Sequence, residues 1–128
     1  MVHDNKTDFH MLQGHQYISL ATFRKNGDVI RTPVWFAQAG NRLYVMTMPT
    51  AGKVKRIRNN AQVEVAPCDM RGGILGDSAE AMALLLGSPE AQHADSLLTK
   101  KYGLPKRLFT MMWRLRGIQP VYLEITAM

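Results

Sequence analysis

The sequence predicts a mainly β or α+β domain: a small antiparallel barrel of six strands with helices attached at its periphery. Three observations carry that expectation. Short runs of alternating or branched apolar residues recur from residue 17 onwards, Gly- and Asn-containing turns separate them, and two longer helical patterns arrive late in the chain.

Taken in order, residues 4–13 suit a short helix with Phe9 and Leu12 on one face, closed by Gly14. Residues 17–23 alternate aromatic or branched side chains with small ones and read as a strand. The Asn26-Gly27 pair then supplies a turn, because Gly accepts positive φ at little cost. Residues 29–37 read as a second strand, with Pro33 pointing to an edge position or a bulge. A turn at 38–41 leads to a third strand over 42–48, so the opening resembles a three-stranded meander.

After the loop 49–52, residues 53–60 look like a short helix whose Val54 and Ile57 share a buried face. A fourth strand over 62–66 stops at Pro67, a Gly-rich connector follows over 70–78, and a fifth strand covers 80–86. Ser88-Pro89 is a favourable helix start, with Ser as the cap and Pro at the first helical position. That helix runs to Tyr102 and ends at Gly103; another spans 105–116 and ends at Gly117. Residues 121–126 alternate as the last strand.

The 128 residues suffice for one domain, 1–128, and no repeat or low-complexity stretch divides them. No apolar run approaches a bilayer span, and the first fifteen residues lack the apolar core of a signal peptide, so the expected location is cytoplasmic. Cys68 is alone, which excludes an internal disulfide and a cysteine-based zinc site. His3, His10, His15 and His93 show no metal-ligand spacing, and no metal is expected. The net charge of +6 favours anionic partners.

The most informative segment is Gly52-Lys53-Val54-Lys55-Arg56-Ile57-Arg58, with four cations in six residues at a helix start. The helix dipole already places positive charge there, so cations at that end are disfavoured unless an anion joins them. Free N–H groups at the same end are a ready site for a phosphate. Lys53 and Arg56 flank the Val54/Ile57 stripe on one side, Lys55 and Arg58 on the other. One pair suits a phosphate, the other solvent or an anionic tail; a solvated basic face is the alternative. No aromatic residues interleave with these charges, and no nucleic-acid partner is expected.

Four motifs run in one order at tight spacing: Arg31-Thr32-Pro33-Val34-Trp35-Phe36, Leu43-Tyr44-Val45-Met46-Thr47, the basic helix, and Val65-Ala66-Pro67-Cys68-Asp69-Met70-Arg71-Gly72. Together they resemble the pyridoxamine-phosphate-oxidase-like split-barrel superfamily, within it the branch of probable F-420-dependent enzymes. Lys101-Tyr102-Gly103 and Tyr122-Leu123-Glu124-Ile125 resemble that branch too, extending the similarity over residues 15–126. The resemblance implies a six-stranded split β-barrel working as a homodimer, with FMN or the deazaflavin F-420 in clefts between subunits. It implies that Arg31, Thr32, Pro33, Val34 and Trp35, with Met46, lie along the cofactor ring. Thr47, Ala51, Lys53 and Arg56 hold its phosphate, and residues 67–71 approach from the second subunit. Lys55 and Arg58 are candidates to attract the oligoglutamate tail that F-420 has and FMN lacks. The further contacts that vitamin-B6 oxidases make to their substrate phosphate are not evident.

Trp35 suits either a stack on a flavin ring or a core position, and Cys68 suits a small buried hydrophobe better than a reactive thiol. Residues 104–116 form a basic amphipathic pattern of membrane-surface composition, which in a fold of this shape is expected to pack on the barrel or shield the cleft. No stable membrane association is expected. No Ser-His-Asp, Cys-His or paired-carboxylate set appears, as suits an enzyme whose cofactor carries the chemistry. The reading favours an oxidoreductase passing a hydride between F-420 and a small organic acceptor. FMN is the alternative cofactor, and a non-catalytic binder of a flavin or other planar ligand the alternative function.

Overall fold

The Asn26-Gly27 turn forms as its composition predicts: Gly27 sits at φ 94°, and the Asn26 side-chain carbonyl accepts the Asp28 N–H at 2.9 Å. It joins β1 (Tyr17–Phe23) to β2 (Val29–Trp35), paired from Tyr17 opposite Trp35 to Phe23 opposite Val29. The remaining elements are β3 (Ala37–Ala39), β4 (Arg42–Thr47), α1 (Gly52–Asn59), β5 (Gln62–Cys68), β6 (Ala79–Leu85), α2 (Ser88–Tyr102), α3 (Leu104–Leu115) and β7 (Val121–Ala127). This computed structural model describes residues 9–128. Of the helix expected over 4–13, a 3-10 turn at His10–Leu12 is formed, and residues 4–8 lie outside the described part.

All seven strands belong to one antiparallel sheet ordered β2-β1-β5-β6-β7-β4-β3. Its two edges, β2 and β3, are consecutive in the chain and separated only by Phe36. The expected second strand is thus split in two. Its first half pairs with β1 and its second with β4, so the chain crosses from one edge to the other at Phe36 and closes the curled sheet into a barrel. This replaces the expected three-stranded meander: β4 pairs with β7, Arg42 opposite Thr126 through Thr47 opposite Val121. Pro33 does occupy an edge strand, where its missing N–H leaves no ladder bond unmade. Pro67, expected to stop β5, lies within it opposite Ile18.

The barrel interior is filled by Ile18, Leu20, Phe36, Leu43, Val45, Val63, Leu123 and Ile125, with Phe9 and Leu12 plugging one end. Ile57 of α1 joins this core and Val54 is buried beside it, as their spacing predicts. α2 lies outside the barrel, where Ala94 and Leu98 pack on Ala37, Tyr44 and Tyr122. Ser88 is the first residue of α2 rather than its cap; Gly87 takes that place and its carbonyl accepts the Ala91 N–H. Gly103, at φ 63°, ends α2 and starts α3. Lys106 is the one buried residue of α3, and its ammonium pairs with Asp95 of α2.

Candidate functional site

A cleft of about 500 Å³ opens where β2 bends towards Phe36, between the end of β4, the start of α1 and the inner side of α3. Tyr17, Pro33, Val34 and Trp35 form one wall, and Met46, Thr47 and Met48 the floor. Ala51 and Lys53 close one end, and Phe109 and Trp113 of α3 cover the other side. Aromatic rings and thioethers thus surround one lysine.

Lys53 makes no hydrogen bond or ion pair with any described residue. Burial, and then the charge of Arg56, pull its ammonium below the usual lysine range. Arg56 does not line the cleft; its Nε donates to Thr22 Oγ1 at 2.6 Å. Its guanidinium folds back over the start of α1, so that a Cβ on Gly52 would fall 2.8 Å from Nη1. Two cations therefore meet at a helix N-terminus, with no carboxylate among the described residues paired to either. This is the electrostatic conflict the sequence predicts, and it is what an anion relieves. Lys55 and Arg58 are exposed on the outer flank of α1, away from the cleft.

Trp35 is held from behind. Tyr102, at the end of α2, stacks on it, and Phe109 meets it edge-on with centroids 5.4 Å apart. The Phe36 N–H donates to the Tyr102 hydroxyl at 2.9 Å, and that hydroxyl lies within donating distance of the Gln16 and Phe36 carbonyls. Lys101 donates to the His15 and Phe36 carbonyls, both at 2.8 Å, with its ammonium over the Phe36 ring. The backbone groups freed where the strand changes edges are thus satisfied by two side chains of α2. Burial draws the Lys101 ammonium down to about 8 and pushes the Tyr102 hydroxyl up to about 12.

Of the residues singled out in the sequence, Pro33, Val34, Trp35, Met46, Thr47, Ala51 and Lys53 come together in the cleft. Arg31 is drawn away along β2 to Glu64, 3.4 Å off on β5. Thr32 is turned from the cleft, its Oγ1 buried without a hydrogen-bond partner among the described residues. Of residues 67–71, Pro67 and Cys68 are buried in β5 and Met70 is exposed; the turn that follows lies beside Pro33, 3.8 Å from where a Gly72 Cβ would stand. Cys68 is 2% exposed, and burial, then Asp69, push its thiol up, so it is a packed hydrophobe and not a nucleophile. Tyr17, Met48, Phe109 and Trp113 were not singled out; Tyr17 reaches the cleft as the register partner of Trp35. A larger hollow of about 800 Å³ between α2, α3 and β7 is bordered by Gln92, Asp95 and Arg114 and has no aromatic wall beyond Tyr122. No group of three potential metal ligands occurs among the described residues.

No protein-family model and no curated protein matches the sequence. Solved structures do match its fold. A candidate pyridoxamine 5′-phosphate oxidase from Listeria innocua aligns with 92% of this chain and 88% of its own, at 16% identity and a TM-score of 0.65. An FAD-binding protein from Mesorhizobium loti aligns over 93% and 86%, at 21% identity and 0.66. The heme storage protein HutZ from Vibrio cholerae aligns over 92% and 84%, at 15% identity and 0.68.

Proposed function

The chain has the pyridoxamine 5′-phosphate oxidase-like split-barrel fold, and from that premise we propose that it is an oxidoreductase binding a phosphorylated flavin or deazaflavin in the Trp35–Lys53 cleft. The observation that carries this reading is the unpaired Lys53 ammonium inside an otherwise apolar, aromatic cleft, beside Arg56 and the first N–H groups of α1. A planar ring with a phosphate on a flexible chain fits both ends of such a site. Lys53, Arg56 and the 51–53 backbone bind the phosphate, with Thr47 and Ala51 shaping its seat. Pro33, Val34, Trp35 and Met46 orient the ring, while Phe109 and Trp113 exclude water from it. A bound flavin or deazaflavin supplies hydride transfer, to a small organic acceptor.

F-420 is the favoured cofactor and FMN the alternative: Lys55 and Arg58, exposed on the outer flank of α1 with no ion pair to a described residue, are candidates to attract its anionic tail once it has left the cleft. A homodimer is part of the proposal. Met82 and Leu84 project outward from β6 at 41% and 60% exposure, an apolar face for a second subunit. Two measurements test the reading. Fluorescence titration with F-420 and FMN is expected to give saturable binding that Lys53→Ala weakens at least about tenfold. Light scattering is expected to give twice the 14.4 kDa chain mass. Absence of binding by either cofactor refutes the assignment.

A further inference from the structure

α3 covers the cleft with one face only. Phe109, itself 45% exposed, and Trp113 line the cleft and Lys106 is buried, whereas Leu104, Leu108, Met111, Met112 and Leu115 are exposed and take no part in the cleft. At about 100° per residue these five fall on one stripe, opposite Lys106 and Trp113. Leu115 is 82% and Leu104 68% exposed, far more than scattered surface leucines require. Arg107 and Arg114 flank the stripe on one side and Arg116 on the other, all exposed. The twelve residues of the helix include no acid.

The geometry points to a peripheral membrane-contact surface: the outer face of α3 lies on an anionic lipid bilayer, its apolar stripe among the acyl chains and its arginines at the headgroups. The sequence alone gives this helix to the barrel or the cleft, but packing there uses a single face. Charge selects the occupant of the other. Pairing α3 with its own copy, antiparallel about a two-fold axis, sets Arg107 against Arg114 across the seam with no acid on either helix, and Asp95 of α2, which feels the Arg114 charge, is already taken by Lys106 and Tyr122. An anionic surface complements the arginines instead, and a helix with Leu and Met on one side and Arg at its margins is the form that lies in such an interface. No helix among the described residues is long and apolar enough to cross a membrane, so the contact is one of surface attachment.

Flotation of the purified protein with phosphatidylcholine vesicles, with or without about one-third phosphatidylglycerol, tests the inference. The protein is expected to float with the anionic vesicles, stay behind with the neutral ones and dissociate at high salt. Leu108→Gln/Leu115→Gln should lower partitioning about tenfold or more. Arg107→Glu should lower it about fivefold, with the fold checked by circular dichroism in each case. No flotation of the folded wild type overturns the inference, as does equal flotation of the leucine variant. A dimer in vesicle-free solution that Leu108→Gln/Leu115→Gln splits also overturns it, and gives the face to a second copy.

Discussion

The rings of Trp35 and Tyr102 lie parallel, with centroids 4.4 Å and planes 9° apart, so the end of α2 forms the back wall of the cleft. The Tyr102 hydroxyl also takes the Phe36 N–H at the point where the barrel closes. One side chain therefore supports both the fold and the site. Tyr102→Phe keeps the ring stack and strands the Phe36 N–H, and is expected to cost about 1–3 kcal/mol in urea unfolding while leaving cleft binding nearly intact. Tyr102→Leu removes the stack too and should also weaken cofactor affinity. Equal binding losses in the two variants would show that the stack contributes nothing.

Asp95 joins three elements. It accepts from the buried Lys106 ammonium of α3 and from the Tyr122 hydroxyl of β7, the latter at 2.5 Å. Burial pushes its carboxyl up, but the bonds from Lys106 and Tyr122 and the charges of Lys106 and Arg114 outweigh that and hold it below the usual aspartate value. A depressed carboxyl contributes stability above its unfolded value, near pH 3.8, and loses it as pH falls through the folded value. Asp95→Asn is expected to remove that acid-side loss. At neutral pH it leaves Lys106 buried without its counter-charge, at a cost of about 2 kcal/mol, since the Asp95 side chain is 41% exposed and solvent screens part of the pair. Urea midpoints from pH 3 to 7 check both.

What the sequence made legible is what local periodicity determines. β1 falls on its expected residues because its alternation and the Asn26-Gly27 turn are self-contained, and α1 buries Val54 and Ile57 because they are one turn apart. The division of the second strand at Phe36 was hidden, since Lys101 and Tyr102, 65 and 66 residues away, make it possible. The β4–β7 pairing is equally non-local. In the site, Lys53 stood out through a clash between charge and helix dipole that any reader of neighbouring residues can see. Phe109 and Trp113 did not, because the marked apolar stripe of α3, Leu104, Leu108, Met111, Met112 and Leu115, is the face that stays exposed, and the two cleft residues lie off it.

Lys101 gives an alkaline counterpart. Its ammonium, drawn down by burial to about 8, is more readily deprotonated in the fold than in the unfolded chain, where the value is 10.5. The unfolded state therefore holds more protons between these values, and stability attributable to Lys101 rises with pH across that window. Other lysines and the tyrosines titrate nearby, so the measurable quantity is the difference between wild type and Lys101→Met. That difference is expected to grow in favour of wild type from about pH 8 to 10.5 in chemical denaturation.

The Arg56 guanidinium lies over Gly52 at the start of α1. A methyl group there would stand 2.8 Å from Arg56 Nη1, and the guanidinium is the flexible end that must yield. Gly52→Ala is expected to displace Arg56 from the start of α1 without unfolding the chain, lowering cofactor affinity severalfold. Arg56→Met in the Gly52→Ala background should then add little, because interactions already broken cannot be lost twice. Isothermal titration of the two singles and the double checks it; full additivity would place Arg56 outside the anchor.

The outer pair on α1 bears on which cofactor is native. FMN ends in one phosphate, for which the proposed Lys53/Arg56 anchor would be enough, whereas F-420 continues into a tail of carboxylates. Lys55 and Arg58 are exposed, with no ion pair to a described residue, on the flank of the Val54/Ile57 stripe opposite Lys53 and Arg56. Exposed pairs of this kind contribute about 0–1 kcal/mol each and are screened by salt. Lys55→Ala/Arg58→Ala should therefore weaken F-420 only severalfold at low ionic strength, with the difference vanishing at high salt and growing with the number of glutamates in the tail. FMN affinity should not respond to the same substitutions. Dissociation constants for both cofactors, on wild type and the double variant at two salt concentrations, decide the matter. If FMN binds wild type more tightly than F-420, the deazaflavin assignment fails and the FMN alternative stands with the Lys53 anchor unchanged.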